Sequence, residues 1–266
     1  MAEQETPLSG GNVTPVVRVG QTVRRAAGRW TPAVHSLLHY LEARGFDGAP
    51  RALGFDDQGR EVLTFIEGEI GQYPVPQPLW SETVLLEMAR FIRRYHDATV
   101  GFVPPEGACW QFVYPDPRRH EVLCHNDLGP YNLIYVGNRP RALIDFDMAG
   151  PGPRAWDLAY AAYCFVPLAH AEDAGLQRLG LTAPTIQGQR LGRFCAAYGL
   201  PAQEVLELVE PRLEAMCAFL VDRAAAGDIA VQRMVEQGHL AFYQRELERF
   251  RQVRSRLEEA CIYGTD

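Results

Sequence analysis

The stretch from Leu123 to Pro153, LCHNDLGPYNLIYVGNRPRALIDFDMAGPGP, restricts the possible folds of this chain more than any other part of it. His125 and Asp127 are two apart, Asn132 lies five residues past Asp127, and Asp145 thirteen past Asn132. Between Asn132 and Asp145 two short β-type runs flank a turn, a hairpin that returns the second carboxylate beside the first group. Asp127 follows the β-like EVLCH and precedes a Gly-Pro turn, so it projects from a loop at a strand end. A carboxylate there accepts or orients a hydroxyl proton. Asn132 offers a neutral amide oxygen and Asp145 a charged one, a pair suited to Mg²⁺, which takes one or two protein oxygens beside phosphates and waters. His125 reads as a packing and hydrogen-bonding scaffold for the loop. Singly, each residue is equally a turn or a strand end. Jointly they point to a phosphate and metal device.

The rest of the sequence sets the frame. At 266 residues there is room for one large domain or two modest ones. A net charge of −7 disfavours nonspecific nucleic-acid binding, and no apolar run is long enough to span a membrane. The acidic, polar N-terminal stretch lacks the signal-peptide pattern. The six cysteines are scattered with no C-x-x-C pair, which fits free thiols in a reducing cytosol and places the chain in the cytoplasm. All 26 basic residues are arginine. Schiff-base chemistry on lysine is therefore excluded, and any role that calls for a lysine falls to arginine.

Taken in order, residues 8–25 read as a turn at Gly10 and Gly11, then two strands around Gly20 and Gln21. Thr31-Pro32 starts a helix with Val34, Leu37, Leu38 and Leu41 on its apolar face and Gly45 at its end. APRALGFD and REVLTFIEGE read as an antiparallel pair. The first 70 residues thus form a small α+β lobe. A proline-rich connector leads to a helix capped by Ser81, then to a loop of about twenty residues, long enough to suggest function. Beyond the central hairpin, residues 155–169 and the region after 185 are helical, with Pro201 and Pro211 as starts or breaks. Residues 228–263 form one long amphipathic helix bent near Gly238. The outline is α+β and two-lobed: residues 1–70 small and strand-rich with one helix, residues 71–266 larger and mainly helical.

HNDLGPYN from His125, LIDFDMA from Leu143 and PGPRAWDLA from Pro151 resemble the core of the aminoglycoside phosphotransferase family, which has a protein-kinase-like fold and is related to choline and homoserine kinases. The resemblance is specific over about 35 residues. It implies an ATP- and Mg²⁺-dependent transfer of the γ-phosphoryl group to a hydroxyl of a small molecule: aminoglycoside-like, an amino alcohol or a sugar. It implies Asp127 as catalytic base, Asn132 and Asp145 as Mg²⁺ ligands, and His125 and Asp157 as supports of the catalytic loop. Asp147 falls near the metal, as a support or as a partner of nearby backbone. Gly10 and Gly11 would cover phosphates, and Phe65, Ile66 and Glu67 belong to the hinge whose backbone meets adenine.

The chain departs from the family at two points. The strand lysine that holds the α- and β-phosphates is missing, and Arg25 or Arg24 in TVRR is the local substitute, since arginine can grip phosphate with two N–H groups. No glutamate stands in the first half of the helix from Pro32; His35 lies near that position. These departures leave a catalytically silent nucleotide-binding module as the alternative. A metal-dependent hydrolase built on His125 and Asp127 has no further ligands to support it. Asp173, Glu204, Glu207, Glu210 and Glu236 are acidic residues that would suit a cationic acceptor, although a solvated helix face explains such charges as well.

Overall fold

The computed structural model describes residues 4–8, 16–168, 170 and 172–263. By contact the chain divides into two compact units: residues 1–79 with 91–154, and residues 80–90 with 155–266. The first unit therefore joins the N-terminal strands to the central hairpin within one body.

Its largest sheet has five antiparallel strands in the order β1-β2-β3-β5-β4. These are β1 (Thr6–Leu8), β2 (Val16–Val19), β3 (Thr22–Arg25), β4 (Ala52–Phe55) and β5 (Glu61–Thr64). The hairpin expected at Gly20 and Gln21 forms, with Gly20 at φ 58°. Strand β1 lacks the alternating pattern that would have announced it, and Gly10 and Gly11 lie outside the described residues. Helix α1 (Thr31–Ala43) buries Val34, Leu37, Leu38 and Leu41 as their spacing predicts. Its end is a Schellman turn: the Gly45 N–H donates to Glu42 O and the Phe46 N–H to Leu41 O, with Gly45 at φ 73°. Its start differs from expectation. Trp30 occupies the capping position, and the Thr31 hydroxyl turns back to accept from the Gly28 N–H at 2.9 Å.

The strand expected to run through REVLTFIEGE is shorter. It stops at Thr64, and β6 (Glu69–Ile70) pairs instead with β8 (Leu133–Val136), which continues to β9 (Arg139–Leu143). Gly68 allows the change of partner at φ 146°. A Cβ there would stand 2.4 Å from Ile134 Cγ2 and 2.6 Å from Tyr135 O. Gly68→Ala should therefore cost at least about 2 kcal/mol in denaturant unfolding, through strain and overlap together. An unchanged midpoint would show that the segment re-routes freely. Gly137 and Asn138, at φ 56° and 64°, close the β8–β9 hairpin in the left-handed pair of a type I′ turn.

Helix α2 (Glu82–Thr99) starts where expected, with Ser81 Oγ accepting from the Val84 N–H, and it buries Val84, Leu85, Met88, Phe91, Ile92 and Tyr95. The segment 100–121 that follows leads to β7 (Val122–Cys124), which pairs antiparallel with β10 (Gly150–Gly152).

The second unit is helical: α3 (Arg154–Phe165), α4 (Ala174–Arg178), α5 (Pro184–Tyr198), α6 (Ala202–Ala225), α7 (Ile229–Glu236) and α8 (His239–Tyr263). Pro201 caps α6 as expected, but Pro211 lies inside that helix without ending it. The neighbouring buried positions Val209 and Leu213 hold the helix together across the missing N–H donor. The expected long C-terminal helix is two helices, broken at Gly238 with φ 89°. Among the described residues no helix is long and apolar enough to cross a membrane, and all six cysteines are free thiols.

His170 packs on Tyr163 (centroids 5.0 Å) and Phe242 (6.1 Å). Burial holds its pKa below the usual histidine value, against the pull of Glu246 and Asp173. The unfolded chain then takes up a proton near pH 6.5 that the folded chain refuses, so stability falls as pH drops below that value. His170→Gln should flatten the decline between pH 7 and 5. An identical slope in the variant would remove His170 from the acid response.

Candidate active site

Strand β7 delivers the chain to the loop 125–132, and a set of side-chain-to-backbone bonds fixes that loop against the segment around Asp145. His125 is fully buried, and its Nε2 lies 3.0 Å from the Ile144 carbonyl. A carbonyl only accepts, so Nε2 carries the proton. The ring also meets Phe146 edge-on at 4.8 Å. The Ile144 N–H donates to Asn132 O at 3.0 Å, closing the bracket from the other side. Asn126 adopts φ 63°, and its Nδ2 donates to Met148 O (3.0 Å) and Phe112 O (3.4 Å), which offsets the left-handed strain.

Both oxygens of Asp127 accept hydrogen bonds. Tyr131 Oη donates to Oδ1 at 2.7 Å and Asn132 Nδ2 to Oδ2 at 2.7 Å. The same Asn132 Nδ2 also lies 3.0 Å from the Asp127 backbone carbonyl oxygen, to which it donates. Asp145, five residues before the end of that bracketed segment at Gly150, sits at φ 62° with its side chain half exposed.

Arg25 joins this region from β3. Its guanidinium touches three carboxylates: Nε to Glu61 Oε2 (2.5 Å), Nη1 to Asp145 Oδ1 (2.7 Å) and Nη2 to Asp147 Oδ1 (2.5 Å). Arg24 points elsewhere, to Thr22 Oγ1 at 2.5 Å and the Asp56 carboxylate at 3.8 Å. Alternation along β3 turns Arg24 and Arg25 to opposite faces, and the face of Arg25 is the one that meets Asp145. His35 is buried on α1, with Nε2 3.0 Å from Glu61 Oε1.

Burial works against ionisation of both Glu61 and Arg25, but their contacts prevail. His35 and Arg25 hold the Glu61 carboxyl below the usual range, and Asp147, Asp145 and Glu61 hold the Arg25 guanidinium firmly protonated. The Asp147 carboxyl is pushed up to about 6, first by burial, then by Asp145 and Glu61, against the pull of Arg25. Three carboxylates around one guanidinium leave a surplus of negative charge. Among the described residues, no group of three or more His, Cys, Asp or Glu side chains is arranged to hold a metal ion.

The remaining expected residues fall as follows. Phe65 lies under the Arg18 guanidinium at 3.7 Å, and its N–H is committed to Gln21 O. Glu67 is exposed and paired with Arg18 at 3.0 Å. Phe65, Ile66 and Glu67 border an open cavity of about 390 Å³, shared with Asp47, Arg51 and Arg141. Asp157 is fully buried in α3, in the second compact unit. Of the five acidic residues suited to a cationic acceptor, three have local partners: Asp173 caps α4, Glu207 accepts from Gln203, and Glu210 pairs with Arg251 and Arg254.

Glu61 and Tyr131 are the residues that sequence reasoning missed. Tyr131 stood inside the recognised loop, one residue before Asn132. Glu61 carried a signal too: a glutamate in phase with Leu63 on a strand whose alternate face is core.

Comparison with known proteins bears on this arrangement. The profile described as "Phosphotransferase enzyme family" matches residues 106–194, which include the loop and Asp145. A "Trifolitoxin immunity protein" of Rhizobium leguminosarum bv. trifolii is 38% identical over 204 residues, 75% of this chain and 76% of that protein. The chain belongs to the phosphotransferase enzyme family. As a member of it, the chain is a phosphotransferase with an alcohol group as acceptor.

The fold of this phosphotransferase is the expected protein-kinase-like one. An ethanolamine kinase from Plasmodium vivax superposes with TM-score 0.62 at 13% identity, covering 96% of this chain and 83% of the other. A wild-type aminoglycoside 2'-phosphotransferase-IIIa, solved as its GDP complex, gives TM-score 0.57 at 14% identity, covering 96% and 93%. At these identities the likeness speaks for the fold of the phosphotransferase alone.

Proposed function

We propose that this phosphotransferase moves the γ-phosphoryl group of ATP, with Mg²⁺, to a hydroxyl of a small molecule. The observation that carries the reading is Asp127, gripped by Tyr131 and Asn132 on a loop that His125 ties to the segment bearing Asp145. Asp127 takes the hydroxyl proton as the new O–P bond forms and the bond to the leaving ADP breaks. The Tyr131 Oη contact at 2.7 Å supports this, since the same Asp127 oxygen already accepts from a hydroxyl. Asn132 Oδ1 and Asp145 would hold Mg²⁺, which when bound with nucleotide neutralises phosphate charge. Arg25 takes the place of the missing lysine, its guanidinium turning from Asp145 and Asp147 toward phosphate oxygens. The backbone of Ile66 and Glu67 meets adenine, because the Phe65 N–H is already used.

The immunity protein among its relatives supports an acceptor that is itself a toxin-like or antibiotic-like molecule. The test is ADP release with Mg²⁺ across a panel of hydroxylated amines, sugars, aminoglycosides and the toxin named by that relative. Acceptor-dependent release that EDTA abolishes is expected. ATP·Mg²⁺ binding with no release on any acceptor would replace this reading with a silent nucleotide-binding module.

A further inference from the structure

Resting on the phosphotransferase reading above, we propose that Glu61 and His35 form a relay that positions Arg25 for the nucleotide, so that the seating of helix α1 governs ATP affinity. Glu61 stands directly opposite Arg25 across the β3–β5 ladder, which puts both side chains on one face. Its two oxygens are divided between partners: Oε2 takes Arg25 Nε, and Oε1 takes His35 Nε2 from α1. Holding the guanidinium at Nε leaves both terminal nitrogens presented together, toward Asp145 and Asp147. A free arginine side chain has several rotamers to lose; one clamped at Nε has its fork aimed in advance.

Glu61 is 1% exposed, so it serves nothing in solvent. A buried carboxylate is costly unless its oxygens are paired, and here both are. Stability alone does not account for it, since an apolar pair of similar volume commonly serves as well in a buried position. What the ionic arrangement adds is direction. His35 in turn is set by α1 on one side and by the Phe55 ring, stacked at 5.1 Å, on the other. A helix with no glutamate in its first half and a chain with no lysine thus meet through a strand carboxylate and an imidazole. Glu61 and His35 are positioning residues, acting through Arg25.

The test is calorimetric titration of ATP·Mg²⁺ into the full chain, Glu61→Gln, Arg25→Ala and the double variant, with circular dichroism to confirm folding. Glu61→Gln should weaken binding on the order of tenfold, as expected for a hydrogen bond to a charged group. The double variant should bind no more weakly than Arg25→Ala, because Glu61 has nothing left to act through. Unchanged affinity in Glu61→Gln, or a double variant that loses the product of the two single effects, overturns the relay. If either single variant fails to fold, His35→Ala decides: several-fold weaker ATP·Mg²⁺ binding supports the relay and unchanged binding overturns it. A wild-type chain that binds no ATP·Mg²⁺ is a different result, since it removes the phosphotransferase reading and the relay with it.

Discussion

Asp127→Ala should lower turnover by about 10²–10⁴-fold, the range spanned by general-base groups, while ATP·Mg²⁺ affinity stays within a few-fold of the wild type. The separation follows from the geometry. The Asp127 carboxylate accepts from Tyr131 and Asn132 of its own loop, whereas the arginine proposed for the nucleotide bonds Glu61, Asp145 and Asp147. Single-turnover phosphate transfer to whichever acceptor the panel identifies, alongside calorimetry for nucleotide, separates the two effects. A fully active Asp127→Ala variant would remove this carboxylate from the reaction. Asp127→Asn is the sharper control. It keeps the size of the side chain but confronts Asn132 Nδ2 with an amide, so a loss equal to that of alanine assigns the effect to the proton.

The largest stability effect is expected at Arg25. Arg25→Ala should reduce unfolding free energy by about 3–5 kcal/mol, the usual cost of removing one partner from a buried ionic group. Asp145 is half exposed and recovers solvation, so the loss falls mainly on Glu61 and Asp147. Mg²⁺ should return part of the lost stability in the variant, because a divalent cation meets the uncompensated carboxylates. Urea unfolding with and without Mg²⁺ measures both quantities. A loss below about 1 kcal/mol would mean that the carboxylates find other counterions or water with ease, and that the contacts to Arg25 carry little weight.

What was legible in the sequence was local. His125, Asp127, Asn132 and Asp145 sit on one loop and one hairpin, so their spacing constrained their geometry before any tertiary contact was known. The turn between the two β-type runs, the glycine end of α1 at Gly45 and the apolar face of α1 were legible for the same reason. What escaped depended on partners far along the chain. Glu61 lies 36 residues from Arg25, and only the β3–β5 register reveals that they face one another. Gly68 ends one sheet's strand and begins another's because Ile134 and Tyr135 approach it, a contact that the run REVLTFIEGE does not announce. Pro211 continues a helix where an isolated peptide would break.

The guanidinium at the heart of the first unit also decides how this protein answers chemical profiling. Nucleotide acyl-phosphate probes report kinase-like sites by acylating a side-chain amine beside the phosphates. Here no such amine exists anywhere in the chain, and the protonated Arg25 is a poor nucleophile. A survey built on that chemistry would pass over this protein even with ATP bound at the proposed site.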